Sequence, residues 1–94
     1  MSRVLVVDDL EPNRYLLRAI LTGSGFEVEE AANGAEALIK ARARPPQLCI
    51  SDLLMPIKDG FDLLREWKAD STLSSIPFVV YTATYTDPRD EQLV

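Results

Sequence analysis

The chain predicts a doubly wound α/β fold on a parallel sheet, and three observations carry that expectation. Short apolar runs alternate with segments whose apolar residues recur at helical spacing, glycines and prolines punctuate the joints, and acidic residues stand where apolar runs end. Alternating strand and helix patterns imply parallel strands joined by right-handed crossovers. The C-terminal ends of such strands open on one rim, where side chains distant in sequence converge.

The elements follow in order. Arg3 to Val7 reads as a continuous apolar strand. Pro12 suits a first helical turn and opens a helix in which Leu16, Leu17, Ile20 and Leu21 recur at helical spacing until Gly23 and Gly25 stop it. Phe26 to Ala31 is a second strand, placed near a sheet edge because Val28 lies between Glu27 and Glu29. Asn33-Gly34 starts a helix with Ala35, Leu38 and Ile39 inward, ended by Pro45-Pro46. Leu48 to Ser51 is the third strand, and the loop from Leu53 to Asp59 leads to a helix with Phe61, Leu63, Leu64 and Trp67 at core spacing. Ile76 to Tyr81 is the fourth strand, and Pro88 opens a fourth helix about two turns before Val94. Residues 1–94 form one domain without repeats or an internal linker.

Composition removes several functions. With 10 basic and 15 acidic side chains the net charge is -5, which argues against nucleic acid as a direct partner. The lone Cys49 excludes an internal disulfide and reads as core packing. No apolar run is long enough for a membrane span and no signal-peptide pattern precedes the first strand, so a cytoplasmic location with no membrane partner is expected. The chain has no histidine, so histidine-ligated zinc and Ser-His-Asp catalysis are out of reach. What remains is chemistry on carboxylates, hydroxyls and a metal. Asp8 and Asp9 close the first strand and Asp52 the third. Three carboxylates on one rim repel one another and call for a divalent cation, and hard oxygen ligands favour Mg²⁺.

These acids, with Met55-Pro56 and Asp59-Gly60 in the loop after the third strand and Thr82-Ala83 after the fourth, resemble the motif set of response-regulator receiver domains, the phosphoacceptors of two-component signalling. The resemblance runs the length of the chain. It implies a flavodoxin-like receiver fold with strand order 2-1-3-4 and a Mg²⁺ site of Asp8, Asp9, Asp52 and the backbone carbonyl of Leu54, with Asp9 a direct ligand and Asp8 acting mostly through water. It further implies that Asp52 is the nucleophile that forms an aspartyl phosphate. Thr82 would donate a hydrogen bond to the phosphoryl group and switch the loop after it. Pro56 and Gly60 shape the loop, Lys58 reads as a solvated lysine, and Tyr81, Tyr85 and Trp67 read as packing residues.

Receiver domains continue with a fifth strand bearing a lysine, an aromatic switch residue and a last helix, none of which this sequence contains. The chain therefore reads as C-terminally incomplete, with an exposed fourth-strand edge open to a homodimer, and as the N-terminal module of a parent protein carrying an output or sensor domain. The expected function is that of a phosphorelay receiver serving a histidine kinase or phosphotransfer protein, regulatory rather than enzymatic. One alternative is a degenerate receiver used only for assembly. The other is a phosphatase of the haloacid dehalogenase type, disfavoured because that family carries D-x-D after its first strand, whereas here adjacent aspartates precede Leu10.

Overall fold

A computed structural model describes residues 2–53, 55 and 58–81. The elements are β1 (Arg3–Val7), α1 (Glu11–Gly23), β2 (Glu27–Ala31), α2 (Gly34–Ala43), β3 (Leu48–Asp52), α3 (Gly60–Ala69) and β4 (Phe78–Tyr81). All three strand pairings are parallel and the order is β2-β1-β3-β4, as expected from the sequence. Because the order reverses at β1, right-handed crossovers place α1 on one face of the sheet and α2 and α3 on the other.

β1 is central and covered on both faces, so all five of its residues are buried, and alternation sorts them. Leu5 and Val7 join one core with Ala31, Ala37, Leu38, Ala41, Cys49, Met55, Leu63, Trp67 and Leu73. Phe78 packs edge-on against Trp67 with ring centroids 5.3 Å apart, and the indole donates to the Ile76 carbonyl at 3.1 Å. Val4 and Val6 face the other way, toward α1. Arg3 is buried at the strand start, and its guanidinium donates to Glu29 and to the Arg44 carbonyl, which offsets the cost of burying a charge.

Several expectations need correction. Ile39 is 70% exposed and Phe61 60% exposed, although both were placed inward. In α2 the buried line is Gly34, Ala37, Leu38 and Ala41, three small residues and one leucine that let the helix lie close to the sheet and α3, and Ile39 falls off it. Phe61 lies in the first turn of α3, ahead of the buried pair Leu63 and Trp67. β2 begins at Glu27 and β4 at Phe78, shorter than predicted, whereas β3 runs one residue further and includes Asp52. The fourth helix expected from Pro88, Tyr85 and the Thr82-Ala83 pair lie outside the described residues.

Candidate metal centre

Each acidic residue owes its position to a strand end. The backbone N–H of Asp8 still pairs with the Ala31 carbonyl at 3.1 Å, holding it in line with the sheet, after which the chain turns into α1. That turn is made by Asp8 itself, whose Oδ1 accepts from the Leu10 N–H at 2.8 Å while Arg14 donates to its carbonyl at 2.6 Å. Asp52 ends β3, its Cα in register with Tyr81, and the next N–H, that of Leu53, bonds the Tyr81 carbonyl at 2.8 Å.

Two glycines bring the neighbouring loops onto this rim. A Cβ on Gly60 would stand 2.7 Å from Leu53 Cα and closer still to the Asp52 carbonyl, so only glycine lets α3 begin against the end of β3. Gly60 N–H bonds the Leu53 carbonyl at 2.9 Å, and Asp59 caps α3 by accepting from Asp62 N–H at 2.9 Å. At Gly34 a Cβ would meet Lys58 Cγ at 2.8 Å and its carbonyl more closely, which ties the α2 start to the same loop. Asn33 caps α2 by accepting from Glu36 N–H at 2.9 Å. Lys58 holds a positive φ of 52° and its partly exposed ammonium pairs with Glu66.

Asp8, Asp9 and Asp52 do converge. One carboxylate oxygen from each lies within 4.8 Å of the others, with Asp8 and Asp52 buried and Asp9 the most accessible. The donor set is all oxygen, which suits a hard dication. Opposite ligands of octahedral Mg²⁺ stand about 4.2 Å apart, so a 4.8 Å spread fits one ion after slight closure or with one acid bound through water. Asp8 suits the indirect role, because both its oxygens already accept hydrogen bonds. Leu54, expected to add a carbonyl, and Thr82, expected to bond the phosphoryl group, lie outside the described residues.

Sequence reasoning missed Tyr81, which it assigned to packing. Its hydroxyl donates to Asp8 Oδ2 at 2.5 Å, beside Asn13 Nδ2 at 3.2 Å on the same oxygen. Burial first, then this bond and the charges of Asp8, Asp52 and Asp9, push the phenol up and keep it protonated. The available signal was its position beside Thr82 at a strand end, where odd and even residues both border the rim. Trp67 and Cys49 are packing residues as expected, and burial pushes the Cys49 thiol up.

The chain is similar to known proteins. The family described as "Response regulator receiver domain" matches residues 4–94. The chain is 44% identical over 82 residues to Response regulator PleD of Caulobacter vibrioides, an alignment covering 87% of this chain and 18% of PleD. The chain therefore spans less than a fifth of that relative. The chemotaxis protein CheY4 of Vibrio cholerae is 37% identical with a TM-score of 0.84, over 98% of this chain and 76% of that one. The signal receiver domain of a signal transduction histidine kinase from Syntrophus aciditrophicus is 36% identical with a TM-score of 0.85, over 98% and 69%.

Proposed function

The chain belongs to the response regulator receiver domain family, and from that premise we propose that it is a phosphoacceptor module whose Asp52 takes a phosphoryl group from a histidine kinase or phosphotransfer protein. The observation that carries this reading is the convergence of the three carboxylates within 4.8 Å at the ends of β1 and β3. A carboxylate oxygen of Asp52 forms the new bond to phosphorus as the nitrogen–phosphorus bond of a phosphohistidine breaks, and the imidazole leaves with the electron pair. Asp8, Asp9 and Asp52, with the Leu54 carbonyl, would hold Mg²⁺, which when bound offsets the repulsion between an anionic nucleophile and an anionic phosphoryl group. Burial of Asp8 and Asp52 limits the water that could compete as nucleophile.

The remaining roles follow from this one. Thr82 would hydrogen-bond the phosphoryl oxygens and draw the following loop inward, turning a local charge into a changed surface. The module regulates an output or sensor domain and works in the cytoplasm.

Intact-mass spectrometry after incubation with acetyl phosphate and Mg²⁺ tests the assignment. One added phosphoryl group is expected in the wild type and none in Asp52→Asn. Label retained in Asp52→Asn removes Asp52 from the role, and no label in the wild type supports a receiver used only for assembly.

A further inference from the structure

The rim carries one side chain whose position the carboxylate chemistry alone does not require. Tyr81 ends β4 in register with Asp52, yet it bonds Asp8, beyond the end of β1. Since β3 lies between β4 and β1, the tyrosine crosses the strand that carries Asp52 and spans two interstrand spacings of about 4.8 Å each. We propose that Tyr81 is a positioning residue that holds the Asp8 carboxylate in its metal-free orientation and competes with a divalent cation for it, thereby setting the Mg²⁺ affinity of the acid cluster. This rests on the magnesium reading above.

The argument is one of shared lone pairs. Asp8 is fully buried and accepts from Leu10 N–H on Oδ1 and from Asn13 and Tyr81 on Oδ2. A phenol donating to a carboxylate at 2.5 Å is a charge-assisted bond that draws negative charge from the acceptor. Without a cation, that bond offsets part of the repulsion among Asp8, Asp9 and Asp52. With a cation in place the repulsion is already relieved, and the metal or its water needs the electron density that the phenol withdraws. The hydroxyl therefore stabilises the metal-free state more than the metal-bound state. Phenylalanine at this position keeps the ring and loses only that preference.

Isothermal titration of the 94-residue chain with magnesium chloride decides the matter. Tyr81→Phe is expected to bind Mg²⁺ roughly three- to tenfold more tightly than wild type. Its thermal midpoint should fall without metal and return toward the wild-type value at saturating Mg²⁺. A side chain that merely packs would lower both midpoints equally and leave the affinity alone. In an Asp8→Asn background the tyrosine substitution should no longer alter affinity. Unchanged or weaker binding by Tyr81→Phe, with wild type binding normally, overturns the proposal while sparing the magnesium reading. A wild type that binds no Mg²⁺ overturns both.

Discussion

The two faces of the sheet are built by different means. On the α2 and α3 side, Leu5, Val7 and Cys49 meet Ala37, Leu38, Ala41, Leu63, Trp67 and Leu73 in one continuous core. On the α1 side, Val4 and Val6 are covered, but none of the thirteen residues of α1 is itself buried, and Leu16 and Ile20 are 59% and 57% exposed. Leu17 and Leu21 are half-buried on this side, and ion pairs add to the contact: Arg14 and Arg18 both reach Glu30 on β2, at 3.3 and 2.9 Å. The helix with the clearer apolar stripe buries less than the alanine-rich one. Periodicity states which residues share a face, whereas burial depends on how closely another layer can approach that face.

The largest expected effect separates the two faces directly. Trp67→Ala removes the anchor of the α3 side and should cost about 3–5 kcal/mol, enough to unfold much of a domain this small. Ile20→Ala on α1 should stay within about 0.5 kcal/mol. Urea titration followed by circular dichroism measures both, and comparable losses would erase the contrast.

A smaller effect probes how dry the core face is. Burial pushes the Cys49 thiol up, so the folded chain keeps its proton after the unfolded chain has begun to lose one near pH 8.5. The raised value in the folded state means that this contribution is complete below about pH 8.5 and is lost as pH rises, at up to about 1.4 kcal/mol per pH unit. Unfolding midpoints should fall between about pH 8 and pH 9.5, and less steeply in Cys49→Ala. Equal slopes would mean that water reaches the thiol.

The smallest effect lies at the outer strand. Val79 shares the α1 side of the sheet through its pairing with Ile50 and is 49% exposed on β4, one of the two edge strands among the described residues. Val79→Lys should change stability by less than about 0.5 kcal/mol and reduce any concentration-dependent self-association seen by light scattering. Unaltered association would place the contact between copies elsewhere.

Much of the site was legible because it is local. A strand that ends in Asp8-Asp9 and another that ends at Asp52 need only a parallel sheet to bring their acids together, and alternating β and α segments dictate such a sheet. Asn33-Gly34 and Asp59-Gly60 likewise announce helix starts through capping chemistry confined to a few residues. Ile39 and Phe61 were misread because an apolar residue one position off a narrow buried stripe looks the same in sequence as one on it.

The sequence alone therefore determined the order of elements, the parallel topology and the three carboxylates at the rim, since all depend on periodicity and on residues at element ends. Only the tertiary structure decided which helix face is sealed, that Arg3 finds partners on two separate segments, and that Tyr81 reaches across β3 to Asp8. The physical reason is distance along the chain. A bond between residues separated by 73 positions depends on register across three strands and on side-chain length, and neither is encoded near either residue.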